Sequence, residues 1–291
     1  MDSNNINFLH KHTLGIIGLG LIGGSIAKTL KHKGFKGRII GVDDNAEHAQ
    51  KAVELNIVDE IVGLDECINN ATIICIAIPV KSTVEVAIKI LDDIQPDKIV
   101  FDVGSTKSSL CDVIAAHKNG NQFVATHPMW GTEFSGPTAA LHNAFEGRAC
   151  VICNKENANI DAINTIELLF TFLGMHLLYM NANEHDIHAA YVSHISHITS
   201  FALANTVLEK EKEENTIFEL AAGGFESTVR LAKSNPAMWA PIFMQNRENV
   251  LDVLNEHIAQ LRKFKACLEK ENEAYLWELM TNANQIKRIL K

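Results

Sequence analysis

The sequence predicts two domains, an α/β domain with a doubly wound parallel sheet over residues 1–180 and an all-α domain over residues 181–291. A glycine-rich turn between an apolar strand and a helix, followed by regular strand–helix alternation, predicts the first domain. The nearly continuous helical pattern after Asn183 predicts the second. The length of 291 residues, 47% of them hydrophobic, is enough for two cores.

The first strand and helix read LGIIGLGLIGGSIAKTLKHKG, in which Gly18, Gly20 and Gly23 match the pattern GxGxxG. The next strand, GRIIGVD, ends at Asp43, 20 residues beyond Gly23. Here Gly18 permits a tight turn, Gly20 lets a pyrophosphate approach the backbone, and Gly23 lets the helix pack on the strand. The helix N-terminus then faces the phosphates. An ordinary strand–helix turn is the alternative, but the complete strand–helix–strand context favours a Rossmann-type dinucleotide site.

Strands and helices continue to alternate after this motif. In chain order they are the helix NAEHAQKAVELN, the strand ATIICIAIP, the helix KSTVEVAIKILDDI, the strand KIVFDVGS, the helix STKSSLCDVIAAHK and the strand QFVATHP. RACVIC and MHLLYM are predicted as further strands on either side of the helix NIDAINTIELLFTFLG. Ligands of such sheets bind at the C-terminal ends of the strands, where Pro79, Ser105 and His127 fall.

The segment ATHPMWGTEFSGP places His127 directly before Pro128. Pro128 fixes its own φ and restricts His127 to an extended backbone, while Gly131 and Gly136 permit turns that other residues resist. We therefore expect this segment to hold the His127 side chain still, over the edge of the sheet where the reactive ring of a dinucleotide would lie.

The helix EHDIHAAYVSHISHITSFALANTVLEK begins the second domain. A helical wheel brings Asp186, Ser193 and His197 into a narrow arc, which indicates either an inward polar face or a solvated one. Histidine pairs three residues apart are compatible with a metal. The two pairs point to opposite sides and neither has a Cys or Glu to complete it, so we predict no metal site. The pairs are His185 with His188 and His194 with His197.

The stretch LAAGGFESTVRLAKSNPAMWAPIF contains a Gly-Gly pair that is expected to break a helix. Ser234 or Asn235 then caps a long helix over residues 236–268. A surface charge and a packing residue are the ordinary interpretations of Arg230 and Trp239. Long helices with apolar stripes favour a homodimer.

The formal net charge of −9 and the lack of basic clusters argue against a nucleic-acid partner. The opening MDSNNINFLHKH has no apolar signal core, and the run IICIAIPV is far too short to cross a bilayer. We therefore predict a cytoplasmic protein with no membrane partner. Of the six cysteines, Cys150 and Cys153 form a CxxC inside a predicted strand, so their thiols are expected to lie on opposite faces, buried and unreactive.

Five motifs together resemble the prephenate dehydrogenase family, including its arogenate-using relatives. They are the glycine motif at 18–23, GSTK at 104–107, HPMWGTE at 127–133, SHISH at 193–197 and GGFESTVR…NPAMW at 223–239. The resemblance covers nearly the whole chain. It implies an NAD-binding domain joined to a helical dimerisation domain, and the oxidation of prephenate to 4-hydroxyphenylpyruvate, with loss of carbon dioxide, in tyrosine biosynthesis.

The same resemblance implies that His127 is the general base and that Ser105 orients it near the nicotinamide. The expected cofactor contacts are Gly18, Gly20, Leu21, Ile22, Gly23, Asp43, Pro79 and Ser105. NAD is the predicted cofactor rather than NADP. The carboxylates of Asp43 and Asp44 would repel the extra phosphate of NADP, and the stretch VDDNAEH offers no arginine to receive it.

Five further residues match the substrate-binding groups of the family. The resemblance implies that Arg230 and His197 bind the two substrate carboxylates. Thr132 and Glu133 match a loop that lines the same site. Trp239 matches a pocket tryptophan that a second subunit can supply.

One departure from the family pattern lies in the GGFES segment. The family often has an acid at the position of Ser227, whereas here the acid is Glu226, one place earlier, which leaves an ion network through this position undecided. Three alternatives to prephenate oxidation remain. An arogenate dehydrogenase would act on the amine analogue of prephenate, a dinucleotide sensor would not need a base, and a β-hydroxyacid dehydrogenase would be expected to carry a lysine on the first long helix.

Overall fold

The computed structural model describes residues 7–214 and 216–289. The framework of the described part is a single sheet. Its strands are β1 (Leu14–Ile17), β2 (Ile39–Val42), β3 (Glu60–Ile61), β4 (Ile73–Ile76), β5 (Ile99–Asp102), β6 (Phe123–Pro128), β7 (Ala149–Cys153) and β8 (His176–Met180).

The strands lie in the order β3-β2-β1-β4-β5-β6-β7-β8. The strands β1 to β6 are mutually parallel, β7 is antiparallel to β6, and β8 is parallel to β7. The chain builds the sheet outward in both directions from β1 and β4, so a crevice opens beyond the C-terminal ends of these two strands. The predicted doubly wound α/β class is confirmed. The reversed direction of β7 and β8 was not predicted, and it follows from the loop that turns the chain back at the end of β6.

Helices cover both faces of the sheet, and the sheet separates two apolar clusters. Those of the first half are α1 (Leu21–His32), α2 (Ala46–Glu54), α3 (Leu64–Asn70), α4 (Val80–Asp93), α5 (Ser108–Ala115) and α6 (Ile160–Leu173). Cys150 packs in one cluster and Cys153 in the other, so the two thiols of the CxxC face opposite sides of β7. Burial raises the pKa of both thiols. This agrees with the prediction of buried, unreactive cysteines.

The second half is helical, as predicted. Its helices are α7 (Ala182–Ala189), a π-helical turn (Ala190–His194), α8 (Ile195–Glu214), α9 (Gly223–Val229), α10 (Pro236–Gln245), α11 (Arg247–Glu269) and α12 (Glu273–Ala283). The first predicted long helix is thus continuous but contains one wide turn. Such turns often lie at functional sites, because they change which side chains share a face.

Two details of the helical prediction were wrong. The predicted helix over residues 236–268 is interrupted at Asn246, where φ is −102° and ψ is 29° and the side chain is buried. The Gly-Gly pair does not break a helix but begins α9, with Ala222 as its N-cap. Asn235 rather than Ser234 caps α10, because the Asn235 side chain accepts a hydrogen bond from the N–H of Ala237.

The chain divides into two compact units, of which the first ends at Asn246 and the second begins at Arg247. The first contains the sheet and the helices up to α10, and the second contains α11 and α12. The domain boundary near residue 181 stays a prediction. Within the described residues, no helix is both long and apolar enough to span a membrane.

Candidate active site

A pocket of about 740 Å³ lies in the first unit, at the C-terminal ends of β1, β2, β4 and β5. It brings together most of the residues that the sequence singled out. Those lining it are Gly18, Gly20, Leu21, Ile22, Asp43, Pro79, Ser105, His127, Thr132, Glu133, His197 and Trp239. Gly23 and Arg230 do not line it. The pocket therefore joins the glycine turn to the loop after β6 and to the helices α8 and α10.

The glycine turn has the shape that a dinucleotide phosphate needs. Gly18 has a φ of +94°, and a Cβ there would lie 2.4 Å from the carbonyl oxygen of Ala77. A Cβ on Gly20 would meet nothing within 4 Å, so this position borders open space inside the pocket. Gly23 packs α1 against the turn, since its Cβ would lie 2.1 Å from the Gly18 carbonyl oxygen. The open space beside Gly20 and the N-terminus of α1 together fit a pyrophosphate.

The Asp43 carboxylate is fixed at the end of β2. Its Oδ2 accepts a hydrogen bond from the N–H of Leu19 at 2.8 Å, and its Oδ1 accepts one from the N–H of Asn45 at 3.0 Å. His48, which sequence reasoning missed, has its Nδ1 3.8 Å from Asp43 Oδ1 and also lines the pocket. The carboxylate thus presents remaining lone pairs to a ribose while its position is set by the backbone.

His127 lies in β6 opposite Val151 and is held from behind by a second histidine. Its Nδ1 is 2.8 Å from His185 Nε2, and His185 Nδ1 is 2.8 Å from Asp186 Oδ1. His185 and Asp186 are 2% and 3% exposed, whereas His127 reaches the pocket. Sequence reasoning placed Asp186 in an arc with Ser193 and His197. Ser193 and His197 line the pocket and Asp186 does not, and the π-helical turn at 190–194 lies between Asp186 and His197.

The pKa values of this buried group favour a neutral base. Burial lowers the pKa of His127 well below its usual value of 6.5, and His185, Lys107 and His194 lower it further. Burial raises the pKa of Asp186, but hydrogen bonds from His185 and from Ser108 outweigh it, so the pKa falls below 3.8. At neutral pH, His127 is therefore uncharged and Asp186 is a carboxylate.

Ser105 lies in a loop held by a buried ion pair between Lys107 and Asp102, both 0% exposed. Asp102 Oδ2 also accepts a hydrogen bond from the N–H of Gly104 at 2.8 Å. This ion pair is a second feature that the sequence did not reveal. Ser105 lines the pocket, but in the part of the chain that the structure describes it makes no hydrogen bond to His127, whose ring is held by His185 instead.

The far end of the pocket is aromatic. The rings of His197 and Trp239 stack with centroids 3.4 Å apart and an interplanar angle of 26°. His197 Nδ1 donates to the Ser193 carbonyl oxygen at 3.0 Å, and this leaves Nε2 for a ligand. Trp239 belongs to the same chain as the pocket it lines, and its buried Nε1 has no hydrogen-bond partner among the described residues.

An exposed ion pair lies at the rim. Arg230 Nη1 donates to Glu133 Oε2 at 2.8 Å, and the side chains are 49% and 14% exposed. Within residues 7–214 and 216–289, Ser227 Oγ donates only to the Gly224 carbonyl oxygen, at 3.0 Å. The acid that pairs with Arg230 is therefore Glu133, and the serine at the position of the family acid takes no part. The described residues contain no cluster of three or more potential metal ligands.

The fold and the pocket define a dinucleotide-binding protein with an uncharged histidine at the mouth of its nucleotide crevice. Comparison with known families makes this more specific. Residues 26–179 match the model of the prephenate dehydrogenase nucleotide-binding domain, and residues 181–282 match that of the prephenate dehydrogenase dimerization domain. The chain belongs to the prephenate dehydrogenase family.

Individual relatives agree with this assignment. A prephenate dehydrogenase of Bacillus subtilis is 32% identical over 284 residues, which cover 95% of this chain and 76% of that protein. The prephenate dehydrogenase of Aquifex aeolicus, whose crystal structure is in complex with hydroxyphenyl propionate and NAD+, is 32% identical in sequence to this chain. It superimposes with a TM-score of 0.87 over 96% of this chain and 97% of that chain. The Synechocystis arogenate dehydrogenase is 25% identical, with a TM-score of 0.72 over 96% and 100%.

Proposed function

We propose that this chain is an NAD-dependent dehydrogenase that converts prephenate to 4-hydroxyphenylpyruvate and carbon dioxide. The observation that carries the proposal is the position of an uncharged His127 in one pocket with the glycine turn on one side and His197 and Trp239 on the other. Membership of the family and its NAD-bound relative support it. Bound NAD supplies the acceptor for a hydride from the ring carbon that carries the substrate hydroxyl.

In this reaction His127 takes the hydroxyl proton as the carbon–hydrogen electron pair leaves the substrate. A carbon–oxygen double bond forms, and the bond to the ring carboxylate then breaks so that its electron pair completes the aromatic ring. The resulting phenolate oxygen recovers a proton, so no net proton is consumed. An uncharged imidazole is suited to both steps because it can accept the proton and then return it.

The two carboxylates of prephenate need partners in the pocket. We assign one to Arg230, whose guanidinium lies at the rim and is already paired with the Glu133 carboxylate. We assign the other to His197. Its Nε2 can donate only when the ring is protonated, because Nδ1 already donates to Ser193. Burial lowers the pKa of His197 below 6.5. The ring therefore becomes charged at neutral pH only when the substrate carboxylate lies beside it and raises that pKa. Thr132 also lines the pocket.

Arogenate is the second candidate substrate, and one observation favours it. The Glu133 carboxylate lines the pocket and is only 14% exposed, so it offers a partner to the ammonium group that arogenate carries in place of the keto group. A comparison of kcat/KM for prephenate and arogenate decides between them. We expect prephenate to be preferred, and we expect Glu133→Gln to reduce arogenate turnover more than prephenate turnover. A wild-type preference for arogenate would overturn the assignment.

We also propose that the chain is a cytoplasmic homodimer that assembles through its helical region. Residues 181–282 match a dimerization domain, and large apolar side chains are exposed along α11 and α12, including Leu261, Leu268 and Trp277. Sedimentation at micromolar concentration tests this, since a monomer would contradict it. Trp239 lines the pocket of its own chain, so the proposed dimer is not needed to supply that residue.

A further inference from the structure

Behind His127, a buried polar chain runs away from the pocket through His185 to Asp186. The His127 and His185 rings meet at 68° with centroids 5.0 Å apart, and the nitrogen–nitrogen and nitrogen–oxygen distances are both 2.8 Å. Neither His185 nor Asp186 lines the pocket. Their burial needs an explanation, because polar groups leave water only where they are hydrogen-bonded.

This series of hydrogen bonds ends at the N-terminus of α5. Asp186 Oδ1 accepts a hydrogen bond from the N–H of Lys107 at 2.8 Å, and Oδ2 accepts one from the N–H of Ser108 at 2.9 Å. A carboxylate is favoured at this position because unpaired N–H groups and the helix dipole both stabilise negative charge. The buried ammonium of Lys107, paired with Asp102, fixes the same loop. Asp186 is thus an anchored hydrogen-bond acceptor.

Because Asp186 is a fixed hydrogen-bond acceptor, it determines which ring nitrogens of His185 and His127 carry a hydrogen. The Asp186 carboxylate can only accept, so His185 Nδ1 carries a hydrogen. In neutral His185 the other nitrogen, Nε2, is then an acceptor, and His127 Nδ1 must donate to it. The remaining nitrogen of neutral His127, Nε2, is therefore left without a hydrogen. This is the tautomer that a proton acceptor requires.

We infer that His185 and Asp186 are positioning residues which hold His127 in the tautomer whose Nε2 accepts the substrate hydroxyl proton. The inference rests on the proposed function for the identity of the substrate, but not for the tautomer. When the substrate O–H bond breaks and the Nε2–H bond forms, the new imidazolium keeps its Nδ1–H directed at His185 Nε2. Asp186 stabilises that positive charge through His185, and the proton returns from Nε2 to the phenolate oxygen. An Asp beside a catalytic His acts in the same way in hydrolase triads.

The variant Asp186→Asn tests this directly. Asp186 Oδ1 accepts from both Lys107 and His185, and Oδ2 accepts from Ser108, so an amide cannot replace all three hydrogen bonds. With its oxygen at the Oδ1 position, the variant keeps the direction of the hydrogen bonds and loses the negative charge that stabilises the imidazolium. With its NH₂ group at that position, the variant donates to His185 Nδ1 and reverses the hydrogen bonds toward His127. His127 would then carry its hydrogen on Nε2 and could not act as a base. We expect kcat to fall by about 10²–10⁴-fold. KM for prephenate and Kd for NAD should change by less than about threefold, which is under about 0.7 kcal/mol.

Two further variants separate positioning from packing. His185→Gln can still accept from His127 through its amide oxygen and should keep more of kcat than His185→Leu, which cannot. Asp92→Asn is the matched control, because Asp92 pairs with His117 at 3.2 Å on the surface and lies outside the pocket. Its activity should equal that of the wild type. Equal kcat in the Gln and Leu variants would show that His185 only fills space.

Nitrogen NMR of the wild-type protein with labelled histidine reads the tautomer without substrate or turnover. We expect His127 of the wild type to carry its hydrogen on Nδ1, and we expect the hydrogen to move to Nε2 in those molecules of Asp186→Asn whose NH₂ group faces His185. A wild-type hydrogen on Nε2, or a kcat for Asp186→Asn within threefold of wild type, would overturn the inference. If Asp186→Asn does not fold, the wild-type spectrum decides alone. A wild type with the expected tautomer that does not oxidise prephenate would instead contradict the proposed function.

Discussion

Two polar groups border the same pocket and differ in how they are held. The group His127–His185–Asp186 is anchored on backbone N–H groups, and its two inner members are almost completely buried. The pair Arg230–Glu133 spans 97 residues of sequence at the rim, with the arginine half exposed. Burial in a region of low dielectric strengthens the first set of hydrogen bonds, whereas water screens the second pair. His127, the proposed proton acceptor, is therefore held in place before substrate arrives, whereas Arg230, the proposed carboxylate partner, is free to adjust.

The largest expected effect follows from removal of the fixed acceptor. His127→Asn should lower kcat by about 10²–10⁴-fold because the proposed general base is lost. The Kd for NAD, measured by fluorescence titration, should stay nearly unchanged. His176→Asn, at an exposed histidine of β8, is the control and should behave as wild type. Turnover close to normal in His127→Asn would remove His127 from the mechanism.

The dependence of turnover on pH tests the same proposed role of His127. In the proposed mechanism the free base is the active form, and the pKa of His127 is lowered by burial and by the charges of His185, Lys107 and His194. The acid limb of kcat, which reports the enzyme–substrate complex in which the substrate carboxylate already favours charged His197, should therefore rise with increasing pH at a midpoint below 6.5 and level off by neutral pH. A midpoint above 6.5 would mean that the charged ring is stabilised and that burial does not dominate.

A smaller effect is expected at the nucleotide end. The fixed Asp43 carboxylate and the neighbouring Asp44 should give NAD at least a tenfold advantage over NADP in kcat/KM, which requires only about 1.4 kcal/mol. The double variant Asp43→Ser with Asp44→Arg should narrow or reverse this preference. Glu54→Arg makes a comparable charge change outside the pocket and should leave the preference unaltered. Equal use of both cofactors by the wild type would show that Asp43 does not face the ribose.

The smallest effect is expected at the rim. Arg230→Ala should raise KM for prephenate about tenfold while kcat changes little, since a half-exposed cation is partly replaced by water. Arg230→Lys should recover only part of the loss because the planar fork of donors is missing. Lys233→Ala, at a neighbouring exposed cation paired with Glu226, is the control. An unchanged KM in Arg230→Ala would return Arg230 to the surface-charge interpretation.

The two groups also differ in how far the sequence revealed them. Strands, the glycine turn and the Asn235 cap depend on local patterns, and these were predictable. The role of His185 was not, because a side chain 58 residues from His127 meets it only through the tertiary fold. A helical wheel assumes regular turns, whereas a π-helical turn at 190–194 lies between Asp186 and His197, and of the predicted arc only Ser193 and His197 line the pocket. The short strand β3 and helix α3 carried no pattern strong enough to predict.

The central claim is that this chain oxidises and decarboxylates prephenate with NAD. The most direct measurement follows NADH by absorbance and 4-hydroxyphenylpyruvate by chromatography in one reaction of purified protein with prephenate and NAD. We expect one NADH and one 4-hydroxyphenylpyruvate for each prephenate consumed. Protein that binds NAD but forms neither product from prephenate would contradict it.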